Sequence, residues 1–288
     1  MKAFVAAVAA FLVAASAHAA FRSADQGVVL AVGRTPGANG ARFVTDLRVL
    51  NAAPAPVRLD LVFLPTGGGD NSEALAHVVT LGPIAPRATL ELPDVLLTAF
   101  GVPVGYGALL YFGSLADAPA VVAPVIVQAR AYSVGDTGGT FGAVEPGLPY
   151  YDEANPAASA VGADTHVLSG LEEDDGFRTN VGIWNGSDPS TSVVLAIDVF
   201  DGDGRPAASL RERLAPLAHR QFNGLLDQLG LHGSGYSIAV SLVSSTSSEP
   251  GTRPYFYAYA TITDNRTNDP AFVEPAYRGE EPVACIFP

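Results

Sequence analysis

The sequence predicts an all-β protein: two tandem antiparallel β-sandwich modules, of immunoglobulin-like or jelly-roll-like kind. Three observations predict it. Residues 43–51, FVTDLRVLN, return at 177–185 as FRTNVGIWN, with Phe, Thr, an apolar pair and Asn at every second position, the period of a strand. Further ordered matches follow at small gaps, as a tandem duplication requires. Short alternating runs, about seven per copy, are separated by Gly, Pro, Asn and Asp, which suits sandwiches better than barrels or α/β folds.

The elements follow in order. Lys2, the apolar run Ala3–Ala15 and the small-x-small triplet Ala17-His18-Ala19 read as a signal peptide over residues 1–19, cleaved after Ala19. The mature chain is then expected to be exported, whether periplasmic, on the cell surface or extracellular. Module 1 is expected over 20–146, a Pro- and Ala-rich linker over 147–163, module 2 over 164–278 and a tail over 279–288. The first strand of each module is placed at Val28–Val32 and Thr165–Leu168. In module 1 the alternation Val57, Leu59, Leu61, Phe63 marks a core strand, matched by Val193, Leu195, Ile197 and Val199. Helical turns are placed at Asp94–Phe100 and Gly224–Leu229.

The late strand of each copy is aligned on Pro124 and Pro254. That sets Tyr255, Tyr257 and Tyr259 against Val125, Val127 and Ala129, and makes the tyrosine face the core face. An exposed row of the same rings would instead form a sugar-stacking ladder. Trp184 falls on the opposite, non-core face of its strand with Arg178 and Asn180, beside a notch at Gly182. One reading is a carbohydrate site at Arg178, Asn180 and Trp184; the other is packing of Trp184 against the neighbouring module or linker.

Lys2 is the single lysine, so the mature chain carries 15 Arg against 29 Asp plus Glu, a net charge of −14. Most of it lies after residue 150. Such a surface repels nucleic acid and anionic lipid, and no mature segment reads as membrane-spanning. Cys285 is the sole cysteine, which excludes an internal disulfide.

Catalytic patterns are sparse. Asp136-Thr137-Gly138 has no second copy to share a proton, as aspartic proteases need. The histidines of the mature chain, His77, His166, His219 and His232, form no zinc motif. Glu145 and Glu274 fall at equivalent places of the two copies, which repetition explains better than a glycosidase pair. Asp198, Asp201 and Asp203 surround a D-G-D-G turn. They read as a solvated hairpin turn or as a calcium site without the closing glutamate of an EF-hand. Asn185-Gly186-Ser187 and Asn265-Arg266-Thr267 match the glycosylation sequon, expected to go unused.

FRTNVGIWN, DVFDGDG, LAPLAHRQFNGLL and YAYATITDNRTNDPAFV resemble a β-sandwich module that recurs in secreted proteins of soil and thermophilic bacteria. Module 2 matches over most of its length; module 1 has YSVGDTGGTFG where the pattern has TITDNRTNDPAF. A more remote likeness is to the sensory-rhodopsin-transducer sandwich. The resemblance implies fold and export and brings no catalytic residues. The function expected is a non-catalytic binding, adhesion or structural role at the bacterial envelope, with an envelope protein or polysaccharide as partner. The alternatives are a carbohydrate-binding protein using module 2 and a hydrolase with an unrecognised site.

Overall fold

A computed structural model describes residues 22–37, 40–134, 140–149, 165–246 and 254–278. Ala17, Ala19, Asp136-Thr137-Gly138, Cys285 and most of the expected linker lie outside the described residues. Strands make up most of the described chain, and every ladder between the named strands is antiparallel. No helix of the described residues is long and apolar enough to cross a membrane.

The first half contains β1 (Ser23–Ala24), β2 (Gln26–Pro36), β3 (Arg42–Asn51), β4 (Val57–Pro65), β5 (Val79–Ile84) and β6 (Thr89–Leu92). A helical turn, α1 (Val95–Thr98), precedes β7 (Gly105–Leu115), β8 (Val125–Val134), β9 (Thr140–Pro146) and β10 (Leu148–Pro149). The second half contains β11 (Thr165–Glu173), β12 (Phe177–Asn185), β13 (Val193–Phe200), β14 (Pro206–Leu214) and β15 (His219–Phe222). After α2 (Leu225–Gln228) come β16 (Gly233–Ser245), β17 (Phe256–Asp264), β18 (Pro270–Val273) and β19 (Ala276–Arg278). The expected helical turns are therefore present, and the opening strands run longer than their apolar cores suggest.

The pairings of the first half recur in the second. One layer runs β10-β2-β7-β4-β5, and its counterpart is β19-β11-β16-β13-β14. The facing layer joins β6, β3, β8 and β9, as β15, β12, β17 and β18 are joined. The halves differ in two places: β1 adds to β8 with no counterpart among the described strands of the second half, and Thr35 and Pro36 of β2 pair with Phe43 and Arg42 of β3, linking the first half's two layers into one sheet path. Each half closes on its own core. Leu47, Val49, Leu59, Leu61, Leu109 and Val127 fill the first. Val181, Ile183, Leu195, Ile197, Val240 and Ala258 fill the second.

The repeated nine residues owe their pattern to two polar clamps. Asn51, at the end of β3, donates to the carbonyls of Ala55 (2.8 Å) and Ile84 (2.9 Å) and accepts from Ala53 N–H. Asn185 does the same with Thr191 (2.8 Å), Ala215 (2.9 Å) and Ser187 N–H. Both side chains are buried, and these bonds use the amide's donors and acceptor on backbone groups of the adjoining loops. The sequon at Asn185 is thus closed in the folded chain. Thr45 ties β3 to β2 through the Gly33 backbone, and Thr179 ties β12 to β11 through the Glu172 carbonyl at 2.6 Å.

One expectation is corrected. Asn51 pairs with Val125, but Asn185 pairs with Phe256. Val125 therefore corresponds to Phe256, one residue beyond the match set by the prolines. A one-residue slip in a strand exchanges its two faces. The core face of β17 is Phe256, Ala258 and Ala260, while Tyr257 and Tyr259 point away from the core.

Those tyrosines are buried nonetheless, because the two halves pack together. Val28, Leu30, Val62, Leu64, Ala108 and Leu110, on the outer face of β2, β4 and β7, meet Trp184, Leu217, Tyr257 and Tyr259 from β12, β17 and the loop before β15. Trp184 stacks on Tyr257 with ring centroids 5.8 Å apart. The seam is stitched by the N–H groups of Gly67 and Gly68, which donate to the His219 carbonyl at 2.9 and 3.0 Å, and by Asn71 N–H to the Pro216 carbonyl. Tyr257 donates its hydroxyl to the Pro149 carbonyl at 2.8 Å.

Candidate ligand-binding cleft

The outer face of the β15-β12-β17 sheet changes character along its length. At one end lie Trp184 and Tyr257, paired across the strands; next come Gly182 and Tyr259; then Asn180 opposite Thr261, and Arg178 opposite Thr263. Gln221 and Asn223 extend the polar end beside β12. The first half covers the apolar end closely and stands off from the polar end. The result is a cleft of about 660 Å³, floored by Arg178, Asn180, Gln221 and Thr261 and walled by Phe43, Tyr106 and the β2 backbone from Ala31 to Gly33. That volume is in the range that holds a small molecule.

Its floor is held in place by its own hydrogen bonds. Asn180 donates to Thr261 Oγ1 at 3.1 Å and accepts from Gly224 N–H at 3.0 Å. Arg178 donates to Asn265 Oδ1 at 2.7 Å and to Asn268 Oδ1 at 3.3 Å. Gln221 accepts from the Tyr259 hydroxyl at 2.9 Å and donates to Asn223 Oδ1 at 2.7 Å. His219 Nε2 lies 3.1 Å from the same hydroxyl, within hydrogen-bond distance. This buried chain links the dry seam to the cleft floor.

Three charged groups line the cleft. Glu173 is buried, accepts from Thr179 N–H at 2.9 Å, and is raised above the ordinary carboxyl range by burial, with Asp227 adding to the rise and the Thr179 bond opposing it. Arg178 is half-buried; burial lowers its pKa and the charge of Glu173 opposes that. Asp227 is exposed at the rim.

Of the residues singled out in the sequence, Arg178 and Asn180 lie together in the cleft. Trp184 does not. It is 0 % exposed, six residues from Arg178 along the same strand, or roughly 20 Å at strand rise, and it packs against the other half. The notch at Gly182 is filled as well: a Cβ there would fall 2.1 Å from the Tyr259 ring. Asp198, Asp201 and Asp203 form no cage. Asp198 accepts from the Ser209 hydroxyl at 2.6 Å, Asp201 Oδ1 accepts the N–H groups of Asp203 and Arg205, and Asp203 pairs with Arg205. Among the described residues no three His, Cys, Asp or Glu side chains are grouped to hold a metal ion. Glu145 is sealed behind β2, where Ala31 N–H donates to it at 3.0 Å, and Glu274 is exposed, so the two do not flank the cleft. Gln221, Asn223, Thr261 and Thr263 were not singled out in the sequence; the cross-strand pairing of Asn180 with Thr261 would have found two of them, had the register of β17 been right.

No family model matches the chain, and neither does any curated protein. Among solved structures, it is similar to a calcium-binding mutant of Bacteroides uniformis beta-glucuronidase 2 at 9 % identity and a TM-score of 0.15, over 82 % of this chain and 25 % of that one. The same enzyme covalently bound to cyclophellitol-6-carboxylate aziridine gives 9 % and 0.15, over 87 % and 26 %. A Bacteroides uniformis beta-glucuronidase gives 10 % and 0.16 over the same shares. The chain spans about a quarter of these proteins, and likenesses this low carry no argument about what it does.

Proposed function

We propose that this is a non-catalytic binding protein, exported to the bacterial envelope, whose cleft between the two halves holds a small polar ligand of the saccharide type. One observation carries the reading: the polar end of the β12–β17 outer face is a fixed array of amide and hydroxyl groups, from Asn180, Gln221, Asn223 and Thr261, beneath a roof that brings two aromatic side chains. Sugars are recognised by such side-chain amides and hydroxyls together with ring faces that stack on their C–H groups. Because the floor is prearranged, little side-chain entropy is lost on binding. The carbohydrate reading of Arg178 and Asn180 is kept, with Phe43 and Tyr106 in the stacking role first given to Trp184.

The test is affinity electrophoresis of the mature protein against a panel of neutral and acidic polysaccharides, beside Asn223→Ala. Asn223 is exposed, so its loss leaves the fold intact. Retardation by at least one polysaccharide, weakened by Asn223→Ala, is the expected result. Absence of retardation by the whole panel would overturn the reading in favour of a structural role.

A further inference from the structure

The charge pattern of the cleft narrows the ligand class, and the narrowing rests on the saccharide reading above. Among the described residues that line the cleft, Arg178 is the one cationic side chain. Its outer nitrogens are held by two neutral acceptors, Asn265 Oδ1 and Asn268 Oδ1. No ion pair joins it to a carboxylate among the described residues. A guanidinium taken partly out of water is normally paired, because its desolvation is otherwise uncompensated. Here the two asparagines fix the plane of the group, which lines the cleft and has N–H donors beyond the two they hold. A guanidinium so fixed presents the fork that matches a planar oxyanion.

Glu173 and Asp227 line the same cleft and limit what that anion can be. With both ionised, the three charges sum to one negative. A dianion such as a phosphate monoester would gain one cation and face two acids. Glu173 is the acid whose charge reaches Arg178, so an anion seated there must turn from Glu173 as well as from Asp227, and a monoanion meets half the repulsion of a dianion. We infer that the cleft takes a saccharide bearing a single-charged anionic group, a carboxylate or a sulfate ester, with that group on Arg178 and the sugar hydroxyls on Asn180, Gln221 and Thr261.

Calorimetric titration of the mature protein with matched pairs tests this: oligogalactose against oligogalacturonate, and a neutral galactan fragment against its sulfated form. An acidic member is expected to bind about tenfold or more tightly than its neutral parent, the worth of a charged hydrogen bond. That preference should weaken with added salt and disappear in Arg178→Gln, while Arg178→Lys retains part of it. Preference for the carboxylated pair, the sulfated pair or both identifies the anion. Equal affinity for acidic and neutral members overturns the anion assignment and leaves the binding reading standing; absence of binding by every member overturns both. The wild-type comparison decides the matter even if Arg178→Gln fails to fold.

Discussion

Replacing Glu145 by Gln should turn an alkaline loss of stability into a plateau. The Glu145 carboxyl is 2 % exposed, and burial pushes it up to about 8 from an ordinary 4.5, with the Ala31 N–H opposing the rise and Glu274 adding to it. The folded chain therefore keeps this proton up to about pH 8, whereas the unfolded chain releases it near 4.5. Between those values the folded state binds more protons, so stability that is full below pH 4.5 drains away as pH rises through 8. A gap of about 3.5 pH units at ~1.36 kcal/mol each amounts to ~5 kcal/mol. Local release of the β9 end caps the loss at the cost of opening that strand, so a fall of about 2–5 kcal/mol is expected. Glutamine accepts the Ala31 N–H equally well and cannot ionise. Urea unfolding at pH 5, 7 and 9, with the denaturant slope held as a check, measures both curves. Because His166 and His219 act in the opposite sense below pH 6.5, the difference between the two proteins decides: curves for wild type and Glu145→Gln that run parallel from pH 5 to 9 would refute the reasoning.

Other substitutions test the seam, the turn and the acid limb. Trp184→Ala should cost about 3–5 kcal/mol, as for other fully buried Trp, and at temperatures where the variant remains folded it should leave ligand affinity within about twofold. A stable variant with binding abolished would place Trp184 back in the site. Gly182→Ala forces a methyl into the Tyr259 ring and should lower stability by about 1–3 kcal/mol in thermal unfolding. Asp201→Ala should cost about 1 kcal/mol from lost turn bonds, to the same extent with calcium or a chelator present. A calcium-dependent thermal shift of the wild type, lost in that variant, would contradict the turn assignment. His166 and His219 are buried and held down to about 3, so the unfolded chain takes up their protons first. Stability should fall as pH drops from 6.5 toward 3, and fall less in His219→Gln, as followed by circular dichroism.

The strands and their polar clamps were legible because a period of two survives in the letters themselves: Phe, Thr and Asn at 43, 45 and 51 return at 177, 179 and 185. The facing of β17 was not, because Pro124 and Pro254 sit one residue apart relative to the ladder, and a single-residue slip reverses every side chain. Arg178 and Asn180 were legible as polar residues on a non-core face. What they face could not be read, since the roof comes from residues more than 70 positions earlier in the chain. Trp184 misled for the same reason. It shares their face but lies at the end covered by Leu30, Val62 and Leu110, and strand alternation carries no record of where along a face a second body begins.

The two halves meet through unlike surfaces, the outer face of β2, β4 and β7 against the outer face of β12 and β17. Such head-to-tail stacking has no symmetry axis that closes it, so in principle a third unit could dock on either free end. The free ends differ from the joined faces in chemistry. One presents Arg48, Gln128 and Arg130 from β3 and β8, and the other presents Val194, Asp198 and Phe200 from β13 with Ser241 and the exposed Val243 from β16. Docking on the first of these faces would bury the charges of Arg48 and Arg130, which opposes growth at that end.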